Sequence, residues 1–481
     1  MHGSSISRPV ALGGSARGCT LLGATLVGWM AAIGPAEAQT LFREDFEHAD
    51  TGDWSATAPP RCDVIVPFDR GIEPSQELYV GPGGSNTTGD GSAGNPFSTL
   101  AHAAGLATPG TAIRILPGTY SGGTFLYDLH GSAAAPIWVG GVAGQARPVI
   151  AGGGEGLHLV RARWVVLHDL EVQGQSFNGI NADDGGDYGN PLASHHVAFR
   201  RLAIHDVGGT GNQDCLKLSG IYDFWVLDST FEACGGGISG SGVDCVGCHR
   251  GLVARNRFQS TSGNAVQVKG GSSDIELRWN HLVSPGQRGF NMGGSTGFEF
   301  FRPPLSTTEP NAEARRILAL GNLIEGGVAA FAFVGCVDCV AAHNTIVEPD
   351  NWLFRILQET LTSGSFEFEP SRNGLVRNNL FYFVRGDIST HLNIGPNTDP
   401  ASFQFRNNLW FAADDPGQSQ PSLPSVEIGG VYGQDPLLEP DGSIPGASPA
   451  AGAGHAQPWL GGDRAGSCYL SPPSIGAYEV R

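Results

Sequence analysis

The sequence predicts an all-β solenoid in which short strands stack coil upon coil, and three observations support this fold class. Glycine and proline contribute 72 and 31 of the 481 residues, which suits many short strands separated by turns. A short polar–apolar motif recurs along most of the chain at a regular spacing. Polar and apolar residues alternate beside this motif, as expected of strands that bury one face.

The recurring motif is a polar residue, often asparagine, followed by any residue and then an apolar pair. Most copies are 22 to 35 residues apart, and one gap is 42 residues. A period of this length predicts a solenoid, because each coil buries the apolar face of its neighbour. An asparagine at one turn of successive coils predicts a hydrogen-bonded ladder with a structural role. The polar residues of the motif are Asp169, Arg201, Ser229, Asn256, Asn280, Asn322, Asn344, Asn379 and Asn408.

Residues 1–38 are predicted to be a secretory signal peptide. Arg8 and Arg17 give a basic start, residues 20–33 an apolar core, and residues 36–38 a small-x-small cleavage site. The alternative is an uncleaved membrane anchor, which needs about 20 apolar residues. We therefore expect a secreted protein, extracellular or periplasmic, without membrane attachment after cleavage.

Residues 78–120 read as a strand, a glycine loop, a short helix, a turn and another strand. This stretch resembles the N-terminal entry of secreted bacterial right-handed parallel β-helix proteins, including some pectate and alginate lyase families. The resemblance implies that NPFSTLAHAA (95–104) is a helix that caps the open end of the solenoid. It also implies a single-stranded right-handed parallel β-helix domain over residues 77–434.

Two segments flank this predicted domain. Residues 39–76 are polar and punctuated by proline, and we interpret them as a leader without chemistry. Residues 435–481 resemble the closing segment of the same β-helix proteins, which implies a C-terminal cover that Cys468 helps to hold. We expect the protein to be a monomer.

The cysteines that follow the signal peptide are even in number, and in an exported protein this favours disulfides. Cys215 and Cys234 lie on adjacent predicted coils, as a disulfide or as buried thiols. Two CxxC pairs could instead hold zinc. The eight positions are Cys62, Cys215, Cys234, Cys245, Cys248, Cys336, Cys339 and Cys468.

The formal net charge of −18 bears on the partner of the protein. So acidic a chain is a poor general binder of nucleic acid. It also repels anionic polymers unless its site is locally basic or holds a cation.

One face of the predicted solenoid carries two outward columns of polar residues, because alternate side chains of a strand share a face. Lys217 and Lys269, the two lysines of the chain, both fall on it, two coils or roughly 10 Å apart. The first column is Asn181, Lys217, Ser239, Gln267, Asn291, Ala332 and Arg355. The second is Asp183, Ser219, Ser241 and Lys269.

These residue types suit β-elimination on a uronate polysaccharide, with Lys269, Arg288 and Lys217 as the candidate catalytic residues. A base takes the proton next to the carboxylate, a cation neutralises that carboxylate, and a third group protonates the leaving oxygen. Nearby arginines could ease loss of the lysine proton. Lysine–arginine pairs of this kind occur in the β-helix lyases that the chain resembles.

Substrate contacts are predicted from the same face and from a long insertion, residues 293–315, that accounts for the 42-residue gap. Loops of this length on a solenoid usually lie over the binding face. Its phenylalanines could stack on sugars, or they could form a self-packed aromatic cluster. The candidate substrate-binding residues are Gln267, Asn291, Arg302, Arg355, Asn181 and Phe301.

The segment NADDGGD (181–187) predicts a calcium site, since closely spaced carboxylates suit Ca²⁺. The candidate ligands are Asp183, Asp184 and Asp187. Pectate-lyase-like β-helices use such aspartates to bridge the substrate. The alternative is a solvated Asp/Gly turn.

Two other functions compete with the lyase. The order of NADD, QDCLKLSG, GGGISGSG and VQVKGG also resembles the four motifs of polygalacturonase-type hydrolases. That resemblance carries over only Asp184, Asp214 and Lys269, because the paired aspartate, the histidine and the arginine of its motifs are missing. A non-catalytic glycan-binding or surface module is the second alternative.

Overall fold

The computed structural model of the protein describes residues 62, 64–209, 211–237, 239–457 and 461–480. The predicted signal peptide and residues 39–61 of the leader lie outside the described residues. Within the described part of the chain, no helix is long and apolar enough to cross a membrane.

The chain winds into a right-handed parallel β-helix, which confirms the predicted fold class. Nearly every coil contributes one strand to each of three parallel sheets. The strands of the first sheet are Thr124–Tyr127, Leu157–Val160, Ile180–Asp183, Leu216–Ser219, Ser241–Val246, Asn264–Lys269, Arg288–Gly293, Ala329–Val334, Trp352–Leu357 and Leu392–Ile394. The strands of the second sheet are Gln76–Val80, Thr111–Ile115, Ile137–Gly141, Arg163–His168, His195–Arg200, Tyr222–Leu227, His249–Ala254, Ser272–Arg278, Ala314–Leu320, Cys336–Val337, Val340–Ala342, Leu375–Arg377, Gln404–Arg406 and Glu427–Ile428. The strands of the third sheet are Thr119–Ser121, Val149–Ala151, Glu171–Gln173, Ala203–Val207, Thr230–Cys234, Arg257–Gln259, His281–Val283, Leu323–Glu325, Thr345–Val347, Leu380–Phe383, Leu409–Ala412 and Val431–Tyr432.

The interior of the solenoid is filled by apolar side chains that stack at equivalent positions of successive coils. Phe231 and Phe258 stack with ring centroids 4.9 Å apart, and Phe381 and Trp410 with centroids 4.1 Å apart. All four rings are buried. Such ring pairs add to the free energy gained from burial alone.

Among the described residues one α-helix, Leu100–Leu106, stands at the N-terminal end, and it begins five residues later than the helix that the resemblance implied. The Thr99 side chain caps it by accepting a hydrogen bond from the His102 backbone N–H, and Leu100 and Ala103 are buried. In the part of the chain that the structure describes, short 3₁₀ helices lie in loops at Phe298–Phe300, Pro400–Ser402 and Pro416–Gln418.

The predicted asparagine ladder forms at the turn between the second and third sheets. Asn322 Oδ1 accepts hydrogen bonds from the backbone N (2.8 Å) and Nδ2 (3.1 Å) of Asn280. Asn322 Nδ2 donates to Leu277 O and to Asn344 Oδ1, both at 2.8 Å. The same pattern continues along the stack and ends at Glu427 Oε1.

Asp169 and Arg201, which the motif includes, do not belong to the ladder. They lie one residue before it, at a turn position with a positive φ of 53° and 52°. There the Arg201 guanidinium is 2.6 Å from the Asp169 carboxylate. Such an ion pair does not replace the asparagine, because Arg255, one residue before the ladder residue Asn256, also contacts Asp228 at this turn position.

Two segments cover outer faces of the solenoid. Ile65, Phe68 and Ile72 of the leader pack on the second sheet. Residues of the C-terminal segment, including Ile444 and Ile475, pack on the third sheet. Part of the segment 435–481 thus packs along a flank of the solenoid, and its role as a C-terminal cover stays a prediction.

Among the described cysteines, disulfides join Cys62 to Cys468, Cys215 to Cys234, and Cys336 to Cys339. Cys245 and Cys248 are free and buried. The zinc alternative is wrong for the disulfide-bonded CxxC pair. Among the described residues, no group of three potential ligands could hold a metal ion.

Candidate functional site

The outward face of the first sheet carries a central column in which residues pair strand to strand. Six of the seven residues predicted for the first column lie in it. Ser239 is wrong, because the strand of that coil is Ser241–Val246 and places Asp244 in the column. The central column runs through His158, Asn181, Lys217, Asp244, Gln267, Asn291, Ala332 and Arg355.

The second predicted column needs a similar correction. Asp183, Ser219 and Lys269 are in register, and Val246 completes the column. Ser241 pairs with Asn264 at the opposite end of its strand. The glycine-rich sequence of this coil hid the true start of the strand.

Both lysines meet at Asp244, a residue that the sequence analysis missed. Lys217 Nζ contacts Asp244 Oδ2 directly and lies 3.4 Å from Asp214 Oδ2. Lys269 Nζ lies 3.7 Å from Asp244 Oδ2. We call Asp214, Lys217, Asp244 and Lys269 the lysine–aspartate cluster. The two carboxylates are buried, whereas the Lys217 and Lys269 side chains are 18% and 12% exposed.

The two carboxyls of the cluster have pKa values displaced in opposite directions. Burial, and next the charge of Asp244, raise the pKa of Asp214 to about 7. Burial also opposes ionisation of Asp244, but Lys217 and Lys269 outweigh it and lower the pKa of that carboxyl. Near neutral pH the cluster therefore holds one ionised carboxylate and one carboxyl that is partly protonated.

Lys217 does not have the environment expected of a base. Burial favours its neutral form, but Asp244 and Asp214 more than compensate and raise the pKa of its ammonium above the usual range. Lys217 is therefore a fixed cation, which corrects the expectation that neighbouring arginines ease loss of its proton.

Arg288 and Arg355 lie further along the same face. Arg288 Nη2 is 2.5 Å from Glu359, and its Nη1 donates to Asn291 Oδ1 at 3.2 Å. The Arg355 guanidinium lies 4.4 Å from the centroid of the Trp352 ring. Burial, and next the charge of Arg288, lower the pKa of Arg355.

The structure does not bring Lys269 and Arg288 together. Arg288 pairs with Asn264, at the opposite end of the strand from Lys269. Five residues of strand separate their backbones by about 16 Å. The Arg288 head group reaches Asn291, which lies two strands, or about 10 Å, from Asp244 in the central column.

A second polar group lies beside the lysine–aspartate cluster. His158 is 2.9 Å from Glu155 and 2.7 Å from Asp183, and Asn181 donates to Glu155 at 3.3 Å. Burial opposes the charge of His158, but the Asp183 and Glu155 carboxylates raise its pKa to about 9. Two carboxylates thus share one imidazolium.

Arg302 and Phe301, predicted to bind substrate, are both turned into the protein. Arg302 is 6% exposed, its Nε donates to Asp184 Oδ2 at 2.7 Å, and its guanidinium lies 3.8 Å from the centroid of Tyr188. Phe301 is 2% exposed and packs on Phe368 with centroids 5.6 Å apart. Phe298 packs on the same Phe368 ring, so the alternative of a self-packed aromatic cluster holds for Phe298 and Phe301, whereas Phe300 is exposed.

The three aspartates of the calcium hypothesis already have protein partners. Asp183 binds His158, Asp184 binds Arg302, and Asp187 accepts a hydrogen bond from Asn190 at 2.8 Å. This arrangement does not fit a calcium ion, which needs several oxygens converging on one point. The calcium site stays a prediction, and we derive no chemical step through it.

Comparison with known proteins supports the resemblance to polysaccharide lyases. No family model matches the chain. The chain is 27% identical over 214 residues to pectate lyase L from Dickeya chrysanthemi, covering 42% of this chain and 48% of that protein. It is 26% identical over 214 residues to pectate lyase L from Dickeya dadantii (strain 3937), with the same coverage. The match spans about half the length of these curated relatives.

Among solved structures, pectate lyase Pel9A superimposes with a TM-score of 0.50 at 15% identity, covering 85% of this chain and 98% of that one. A likeness at this identity concerns the fold. The protein is therefore a right-handed parallel β-helix protein that resembles the polysaccharide lyases.

Proposed function

We propose that the protein is a polysaccharide lyase that cleaves a uronate polymer by β-elimination. The observation that carries this proposal is the meeting of both lysines at Asp244 on one outward face. The chain has a net charge of −18, so an anionic polymer needs a locally basic site to bind. The two lysines lie together on the outward face where such a polymer could bind. The similarity to pectate lyase L supports the same reaction class.

Lys269 is the base in this proposal. It is less tightly held than Lys217, because its Nζ is 3.7 Å from Asp244 whereas Lys217 makes direct contact. A neutral Lys269 amine takes the proton next to the uronate carboxylate. The C–H electron pair then forms the double bond, the bond to the leaving oxygen breaks, and that oxygen takes a proton from water.

Lys217 is the cation that neutralises the carboxylate of the reacting sugar. Its raised pKa keeps it charged, and its position next to Asp214 and Asp244 fixes its side chain. The fixed charge stabilises the carbanion that develops when the proton leaves.

Arg288 and Arg355 bind uronates on neighbouring sugars, in line with Gln267 and Asn291 of the central column. Arginine suits this role because its planar guanidinium can bind a carboxylate bidentately. Arg355 has no ion-pair partner among the described residues, so a substrate carboxylate could supply one.

The test is incubation with pectate, alginate and glycosaminoglycans, with and without Ca²⁺, across neutral to alkaline pH. Ultraviolet absorbance should rise as unsaturated uronate ends form, and Lys269→Ala should remove the rise. Absence of unsaturated product from every polymer would contradict the proposal.

A hydrolase is the second candidate, favoured by one observation. Asp214 and Asp244 have pKa values displaced apart, as an acid and a base require. Their burial and the Lys217 bridge between them make direct contact with a sugar harder than for the lysines. New reducing ends without unsaturated product would identify hydrolysis.

We also propose that the protein is secreted. Three disulfides suit an oxidising compartment. Detection of the intact disulfides in protein recovered from the culture medium or periplasm would test this location.

A further inference from the structure

Two aromatic rings stand exposed at the N-terminal end of the first sheet. Phe125 and Tyr127, on the strand Thr124–Tyr127, are 44% and 60% exposed. Their rings stack with centroids 5.9 Å apart and an interplanar angle of 14°. Leu126 between them is buried in the core, so alternation along the strand directs both rings outward. We call Phe125 and Tyr127 the aromatic platform.

The aromatic platform is continuous with the central column. Phe125 pairs with His158, which pairs with Asn181, which pairs with Lys217. Three strand spacings place Phe125 about 14 Å from Lys217 along the solenoid. A polymer lying along the axis over the lysine–aspartate cluster would therefore also cross these rings.

The fold does not account for the exposure of the two rings. Adjacent exposed rings form a contiguous apolar patch, and patches of this kind on a soluble protein are found at ligand-binding grooves. The Phe125 ring also lies 4.8 Å from the His158 ring, and this contact extends the flat surface toward the column.

The charge beside the platform differs from the charge at the other end of the face. Glu155 and Asp183 both contact His158, so two carboxylates share one cation and leave a net negative charge. A free uronate would be repelled there, whereas at the far end Arg288 and Arg355 outnumber the one carboxylate of Glu359 and attract uronates.

We propose that the aromatic platform is a distal subsite that binds the apolar face of an uncharged sugar ring while a uronate is cleaved at the lysine–aspartate cluster. This inference rests on the proposed lyase function. The preferred substrate is a uronate polymer with uncharged positions, either esterified uronates or neutral sugars. A fully ionised polyuronate places a carboxylate next to Glu155 and Asp183 and binds less well.

The test compares wild-type protein with a Phe125→Ala/Tyr127→Ala variant on polygalacturonate, partially methyl-esterified pectin and rhamnogalacturonan. The last two separate esterified uronates from neutral sugars as the source of the uncharged ring. For at least one of them, loss of both rings should raise KM about tenfold with little change in kcat. KM on polygalacturonate should change less. Leu470→Ala, which truncates an apolar side chain 59% exposed on the C-terminal segment, is the control and should match wild type.

Binding without cleavage separates this inference from the lyase proposal. Lys269→Ala protein, with and without the two ring substitutions, is run through gels that contain each polymer. Retardation that depends on the rings supports the subsite even if no polymer is cleaved, and the lyase proposal alone then fails. Unchanged KM and unchanged retardation in the ring variant overturn the subsite, whether or not cleavage occurs.

Discussion

Two sets of buried polar side chains run along the solenoid, the asparagine ladder and the lysine–aspartate cluster. In the ladder, the Asn322 side chain donates two hydrogen bonds through Nδ2 and accepts two through Oδ1. Every partner lies on a neighbouring coil. In the cluster, Asp244 Oδ1 is buried without a hydrogen bond from any described residue. The ladder asparagines are neutral, and the hydrogen-bonding groups of the Asn322 side chain are all paired. The cluster is charged, and one of its buried carboxylate oxygens has no hydrogen-bond partner among the described residues.

The difference follows from the side chains themselves. A carboxamide is both donor and acceptor, so identical asparagines can stack without limit. Carboxylates only accept and repel one another, so Asp214 and Asp244 need Lys217 between them. Burying such charges costs free energy that the ladder avoids. We therefore read the ladder as structural and the cluster as functional.

The largest expected effect is at Lys269, the lysine of the cluster that lies farther from Asp244. Lys269→Arg should lower the rate of unsaturated product formation by about 10²–10⁴-fold, because arginine keeps its proton and cannot act as a base. Lys217→Arg is the matched control, since the proposed role of Lys217 needs only a cation. The rates follow from ultraviolet absorbance, and comparable losses in both variants would contradict the two assigned roles.

A large effect on stability, but not on catalysis, is expected in the ladder. Asn322→Ala leaves the Asn280 N–H groups and the Leu277 carbonyl buried without partners. We expect a loss of roughly 2–4 kcal/mol in the free energy of unfolding. Denaturant titration measures this loss. The activity of the folded variant at low temperature should equal that of wild type.

Asn190→Ala is the matched control for the ladder variant, because its side-chain amide makes only exposed hydrogen bonds, donating to Asp187 and accepting from the Leu192 backbone N–H. Its unfolding free energy should stay within about 0.5 kcal/mol of wild type. Equal losses of unfolding free energy in the two variants would show that the ladder contributes no more to stability than a surface asparagine.

A smaller effect is expected from pH acting on Asp214. Its pKa is raised to about 7 in the folded protein, so the folded state holds this proton more tightly than the unfolded state. The resulting stability is fully present below about pH 4 and is lost as pH rises through about 7. Asp214→Asn should therefore lose less stability than wild type across this window, as measured by denaturation midpoints. Parallel curves would contradict the raised pKa.

Asp244 should act in a different pH range, since its pKa is lowered. Its contribution is present above the unfolded value of about 4 and is lost only as pH falls further. The two carboxyls of the cluster can therefore be separated by titration.

The repeat allowed most of the fold to be predicted. Asparagines such as Asn280 and Asn322 recur at one turn, and a regular period specifies which residues stack. The same regularity placed Lys217 and Lys269 on one face. It failed where a glycine-rich turn hid the start of a strand, so Ser239 was assigned the place of Asp244.

Contacts between distant coils could not be read from the period. Arg302 meets Asp184 across 118 residues, because the long insertion folds back along the solenoid. The sequence around Arg302 does not indicate which carboxylate this loop residue contacts. The packing of Phe301 could not be predicted either, because its partner Phe368 lies in another loop.

Metal removal is expected to have the smallest effect on activity, because the candidate calcium ligands already have partners in the protein. Like the ladder asparagines, Asp183 and Asp184 have protein partners for their side chains: His158 contacts Asp183, and Arg302 contacts Asp184. A chelator should therefore change the rate of unsaturated product formation by less than about twofold, an effect below 0.5 kcal/mol. Activity that disappears with the chelator and returns with Ca²⁺ would contradict this expectation, and binding of that Ca²⁺ at Asp184 would displace Arg302. In that case Arg302→Ala should bind Ca²⁺ more tightly than wild type, as measured by calorimetry.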